Sequence, residues 1–75
     1  MSDEVKTNIP IGNVIVNYVT KDGKKLTESI TLSGLCGTNY ETLKKEFDKY
    51  SFIEVVGEVK GEIKEETKEV IYIYD

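Results

Sequence analysis

The chain has no histidine, no arginine and no tryptophan, and only one cysteine and one proline. Each absence removes a class of chemistry. Without histidine, no Ser-His or Cys-His nucleophile pair can form within the chain. Without histidine and with Cys36 as the lone thiol, the usual zinc ligand sets fail as well. A single cysteine also excludes an internal disulfide, so the fold has to stand on packing alone. Without arginine there is no planar fork for bidentate phosphate or guanine recognition, because all ten basic residues are lysines. No apolar run is long enough to span a bilayer. The start, Met1-Ser2-Asp3-Glu4, is acidic and lacks the apolar core of a secretory signal.

What remains is an acidic chain of 75 residues with a net charge of −4 and five tyrosines among seven aromatics. That charge argues against a nucleic-acid partner or an anionic membrane, and no membrane insertion is expected. The length suits one small domain with a thin core, in which large apolar residues are needed for packing. A chain of this kind is either cytoplasmic or a domain of a longer secreted protein, and composition does not separate the two.

Residues 1–8 read as a polar leader, and Ile9-Pro10-Ile11-Gly12 as an interruption, so the folded domain is expected over residues 13–75 after a leader or linker of residues 1–12. Alternation predicts a first strand over residues 13–20, with Val14, Val16 and Tyr18 on the core face. Asp22-Gly23 then marks a tight turn with positive φ at its centre. A second strand is expected over residues 25–33, with Leu26, Ile30 and Leu32 aligned. Glu28 breaks that alternation and predicts a bulge or an edge position. Residues 34–37 read as a loop. The spacing predicts a helix over residues 39–49, with Thr38 as N-cap, Glu41 completing a capping box, and an apolar stripe of Tyr40, Leu43, Phe47 and Tyr50. Residues 52–56 read as a strand, residues 58–64 as a half-exposed strand, and residues 65–68 as a solvated turn. The closing run Val70-Ile71-Tyr72-Ile73-Tyr74 predicts a central strand covered on both faces. The economical arrangement is an α+β fold of the β-grasp, ubiquitin-like type. One short helix packs on a mixed sheet whose last strand lies beside the first, in the centre.

Several groups invite a functional reading, and a plainer one outweighs each. The tyrosines offer stacking faces for sugars, but Tyr18, Tyr40, Tyr50, Tyr72 and Tyr74 fall on predicted core positions. Lys21-Asp22-Gly23-Lys24 lacks the repeated ligands of a calcium loop, so turn chemistry explains it. Cys36 has no histidine or arginine nearby in sequence to activate it. Glu65, Glu66 and Glu69 are expected in or beside the solvated turn. Paired carboxylates for glycoside hydrolysis need a cleft that so small a sheet hardly provides. No catalytic, cofactor-binding or metal-ligating residue is assigned, no cofactor is expected, and no ligand-binding residue can be picked out.

Four pieces in order resemble a known family. They are Val14-x-Val16-x-Tyr18-Val19-x-x-Asp22-Gly23-x-x-Leu26, then Leu32-x-Gly34-x-x-Gly37-x-x-Tyr40, then Tyr50-x-Phe52 with Gly57 and Gly61, and finally Val70-Ile71-Tyr72-Ile73-Tyr74. Together they resemble the mucin-binding-protein (MucBP) repeat domain of Gram-positive cell-wall-anchored surface proteins, related to internalin B-repeats. The chain departs from the pattern in having Lys49 before Tyr50 and a helical-looking stretch over residues 42–49. The resemblance implies a β-grasp-like, non-catalytic module of an extracellular, wall-attached adhesin, monomeric as an isolated domain. Signal peptide and anchor are expected outside this stretch, which has no Leu-Pro-x-Thr-Gly motif. The implied partners are mucin or host-surface glycans and proteins, bound weakly with avidity from repetition, and neighbouring repeats of the parent chain. Two alternatives are a structural spacer that holds a distal adhesive domain away from the wall, and a cytoplasmic ubiquitin-like interaction domain.

Overall fold

Alternation of inward and half-exposed residues runs the whole length of the first strand, β1 (Ile11–Thr20). Gly12, Val14, Val16, Tyr18 and Thr20 point into the core; Asn13, Ile15, Asn17 and Val19 line the other face. The computed structural model describes residues 10–75. Within them the chain continues through β2 (Ile30–Leu35), β3 (Asn39–Glu41), β4 (Phe52–Val56), β5 (Lys60–Glu62) and β6 (Lys68–Tyr74). The main sheet has the order β2-β1-β6-β4, and β3 pairs with β5 in a separate two-stranded ribbon. β1 pairs with β2 antiparallel and with β6 parallel. The last strand therefore does lie beside the first, in the middle of a mixed sheet. The reading of residues 1–8 as a leader lies outside the described residues, and β1 begins at Ile11, two residues earlier than the Asn13 start read from the pattern.

The first turn is a three-residue loop. The Gly23 N–H donates to the Thr20 carbonyl, and the Thr20 N–H donates to the Lys24 carbonyl, each at 2.8 Å. Gly23 alone takes positive φ, at 93°, and Asp22 does not. This is a type I turn closed by a glycine bulge, where the Asp-Gly pair had suggested positive φ at both centres. Beyond it, Val19 bridges Lys25 while Val16 pairs with Ile30. Three steps along β1 thus face five on the return strand. The extra residues make the irregularity expected near Glu28, and they delay the start of β2 to Ile30.

The expected helix is absent, and the α+β, β-grasp assignment is replaced by a small all-β domain. Residues 39–41 form β3, and residues 42–46 cross the sheet in irregular extended conformation. The reason lies in the tyrosine hydroxyls. Tyr18 donates to the Leu43 carbonyl at 2.7 Å, and Tyr74 donates to the Lys45 carbonyl at 2.6 Å. Tyr74 also accepts from the Lys45 N–H at 3.2 Å. The Thr42 N–H and hydroxyl both donate to the Val59 carbonyl at 2.8 Å. Backbone groups that a helix would pair internally are thus taken by the sheet beneath. A helix of about ten residues is marginal by itself, so these tertiary bonds prevail. Thr38 caps nothing helical: its N–H and hydroxyl close a turn onto the Leu35 carbonyl. Of the apolar stripe, Tyr40 is buried and Phe47 and Tyr50 pack against the core, but Leu43 is 71% exposed.

The core is a single layer between the sheet and the crossing segments. Val14, Val16, Tyr18, Val70, Tyr72 and Tyr74 supply its floor, and Tyr40 and Ile63 close it from above. Tyr18 stacks on Tyr72 with centroids 5.3 Å apart, and Phe47 and Phe52 meet Tyr74 edge-on at 4.9 and 5.8 Å. Such offset and edge contacts add about 0.5–1.5 kcal/mol per pair beyond burial. The opposite face of the sheet is open. Ile71 and Ile73 on β6 are only half-buried, so the closing strand is central but covered on one face, not two.

Burial of the tyrosines has a consequence at high pH. Tyr18 is held above the usual phenol range by desolvation, reinforced by Tyr72 and Tyr74. Tyr74 is raised by desolvation too, partly offset by its bond with the Lys45 backbone. A raised folded-state value means that the protonated form is favoured by folding. This contribution is full below the unfolded phenol pKa of about 10 and is lost as pH rises through the folded values. Thermal melts followed by circular dichroism should show a falling midpoint above about pH 10. The Tyr18→Phe, Tyr74→Phe double variant should lose that extra alkaline slope while being less stable at neutral pH; an unchanged slope would refute the assignment.

Candidate functional site

Depressions on the described surface include two on the side of the sheet crossed by residues 42–46. The first, of about 390 Å³, lies on the β3–β5 ribbon between Asn39, Tyr40, Glu41, Lys60 and Gly61. Its exposed lining is polar and apolar in about equal parts, and the Tyr40 ring beneath is buried, with its hydroxyl donated to the Glu58 carbonyl at 2.8 Å. The second, of about 340 Å³, runs between β2 and the crossing segment. Val16, Tyr18, Ile30 and Leu32 line its floor, and residues 41–45 form its wall. An apolar floor with a few fixed polar groups is the usual make-up of a ligand site, so this groove is the better candidate.

The groove follows from the local sequence. Ile30 and Leu32 sit on the core face of β2, which is an edge strand, so no further strand covers them. The wall is held at a fixed height by the Tyr18 and Tyr74 hydroxyls. Tyr72 completes this anchoring. The single Thr42 hydroxyl hydrogen goes to Val59, so at the 2.6 Å contact it is Tyr72 that donates to Thr42. Lys45 lies over the Tyr18 ring with its ammonium 5.1 Å from the centroid, and Lys44 stands 4.9 Å over Phe52. The Lys45 ammonium is thereby held at the rim, whereas that of Lys44 is drawn toward β4 at the other edge of the sheet. The edge of β2 is open as well. The Cys36 N–H donates to the Pro10 carbonyl, so in an antiparallel ladder the alternate residues Thr31 and Ser33 turn their backbone groups outward.

The groups singled out in sequence end in modest places. Tyr18, Tyr40, Tyr72 and Tyr74 are all core residues whose hydroxyls bond internally, and none offers a free stacking face. Lys21 to Lys24 form the turn described above, with Lys21 3.3 Å from Asp75. Cys36 is half-buried at the end of β2. Glu69 accepts from the Asn17 amide at 2.6 Å on the open face, away from Glu65 and Glu66 in the turn. Among the described residues no three acidic or cysteine side chains converge as a metal cage would require. Glu41 is the one carboxylate lining the groove, whereas glycoside hydrolysis in its usual form needs two. Glu58 sits below the usual carboxylate range and Lys68 above the usual ammonium range, because they share a 2.8 Å hydrogen bond. That pair is a surface staple between β6 and the approach to β5. Sequence reading did not find Leu43, Lys44 and Lys45 as groove residues. The Ile30-x-Leu32 spacing beside a charged interruption was visible, but what faced it was not.

Fold and groove together define a small all-β module whose open surfaces suit binding. The chain belongs to the MucBP domain family: the family model matches residues 13–75. This is a binding-type family whose domains occur in extracellular surface proteins. Among solved structures the chain is similar to a domain of a Listeria monocytogenes protein provisionally described as peptidoglycan-binding, at 26% identity and a TM-score of 0.72, covering 91% of this chain and 79% of that one. A comparison with curated proteins finds no match.

Proposed function

We propose that this domain is a non-catalytic module of a wall-attached bacterial adhesin that binds mucin glycans or other host-surface molecules through the groove beside β2. The groove's combination of an apolar floor and a lysine-bearing rim carries the reading, within a family of surface binding domains. A sugar ring has an apolar face and a polar edge, and the groove offers a counterpart to each. A groove this open supports weak contact only, so useful strength comes from repetition along the parent chain. Neighbouring repeats are then part of the working assembly.

Leu43 permits a clean test because it stands at the wall with its side chain largely in solvent. Leu43→Asp should leave the thermal midpoint nearly unchanged. On a mucin and glycan array, a tandem chain carrying the substitution in every copy should lose its signal, while the unmodified tandem chain binds with little sensitivity to salt. No binding by the unmodified tandem chain would reject the adhesive reading and leave the spacer role.

A further inference from the structure

We propose that the domain bears tensile load, and that the parallel pairing of its first and last strands is what resists it. β1 and β6 are neighbours in the centre of the sheet and run in the same direction over seven pairs, from Val14 with Lys68 to Thr20 with Tyr74. The chain enters this ladder at the start of β1 and leaves it at the end of β6, on opposite ends of the sheet. Tension on the two flanks of the domain therefore pulls these strands in opposite directions along their own axes. In that geometry the rungs share the load, and the ladder yields only when many hydrogen bonds fail together. Strands pulled apart from one end lose their bonds singly, each at low force.

Contacts on both faces brace the same pair of strands. On the core face Tyr18 and Tyr72 are direct partners across the ladder, with rings stacked at 5.3 Å. On the open face the Asn17 amide donates to the Glu69 carboxylate at 2.6 Å. Past the last pair, the Lys21 N–H donates to the Tyr74 carbonyl at 2.9 Å and lengthens the ladder. β2 pairs with β1 as far as Val16 and β4 pairs with β6 from Ile71 to Tyr74, so neither strand of the pair is an edge of the sheet. Sliding β6 along β1 would also pull Tyr72 away from Thr42, and Tyr74 away from Lys45.

The proposal rests on the reading of the chain as part of a surface protein, where tension arises between the wall and a bound partner. Its test does not depend on any ligand. The full chain is stretched in a single-molecule force experiment in two geometries at one loading rate. In one, handles join its two ends. In the other, they join cysteines introduced by Asp22→Cys and Asp75→Cys in a Cys36→Ser background. Asp22 and Asp75 are exposed and lie at the same end of the β1–β6 ladder, so the second geometry opens it rung by rung. Rupture from the ends should need severalfold more force than rupture through residues 22 and 75. Equal forces in the two geometries would overturn the proposal. A glycan null with the force difference intact would reject the adhesive reading alone, and glycan binding without the difference would reject the clamp alone.

Discussion

Gly12→Ala should cost this domain about 3 kcal/mol or more, and a bulkier residue should unfold it. Gly12 lies inside β1, opposite Gly34 of β2. A Cβ on Gly12 would stand 1.9 Å from the Lys64 carbonyl oxygen and 2.7 Å from Ile63 Cγ2. The nearer obstacle is backbone, which cannot swing aside as a side chain does. The two glycines form a notch in the sheet, and the chain leaving β5 seats Ile63 in it. Ile63 is held there through its backbone, with its N–H donated to Thr38 and its carbonyl accepting from Gly37, each at 2.8 Å. Gly34→Ala makes the matching comparison. Its Cβ would meet Ile63 Cδ1 at 2.9 Å, the far end of a flexible side chain, so a loss of about 1 kcal/mol is expected. Urea titrations of both variants decide the matter: similar midpoints for the two would show that the notch does not govern stability.

Tyr72 should show the second large effect. Its ring stacks on Tyr18, approaches Phe52 at 6.1 Å, and carries the hydroxyl that fixes Thr42. Tyr72→Ala removes a core aromatic and should cost about 3–5 kcal/mol. A domain of this length holds on the order of 4–11 kcal/mol in all, so that variant should lose a large share of its stability and melt at a much lower temperature. Tyr72→Phe keeps the ring and deletes the donor to Thr42, which is itself buried, and should cost about 1 kcal/mol. The conservative variant has a local signature too. Amide exchange should quicken over residues 42–46 before it changes in β1 or β6, because the lost bond anchors the crossing segment. Uniform acceleration across the sheet would show that the hydroxyl acts on global stability alone.

The legible part of the fold was the part specified by period two. Val14, Val16 and Tyr18 alternate along β1, and that strand formed with those residues inward; the unbroken run Val70 to Tyr74 marked a central strand beside it, but hid that only Val70, Tyr72 and Tyr74 would be covered. The Asp22-Gly23 turn was equally plain, since one glycine with positive φ suffices to set it. Thr38, Glu41 and the Tyr40, Leu43, Phe47, Tyr50 spacing misled, because spacing records which residues share a face only if a helix forms. Here Tyr18, Tyr72 and Tyr74, distant in sequence, compete for the same backbone and side-chain groups and win. Gly12 had marked an interruption, yet it lies within β1, because its small size serves a contact with residues 63 and 64 rather than a break.

Residue content and patterning were enough to establish a small domain without an internal disulfide, without histidine chemistry, and with a central pair of apolar strands. Its order of landmarks determined the family. Composition and alternation are local properties, and they suffice for such conclusions. Long-range contacts made the domain all-β, left one face of its sheet open, and opened a groove beside β2. Those features depend on where Tyr18, Tyr72 and Tyr74 place their hydroxyls and on what fills the notch at Gly12 and Gly34. Such contacts join residues dozens of positions apart, and no window along the chain contains them.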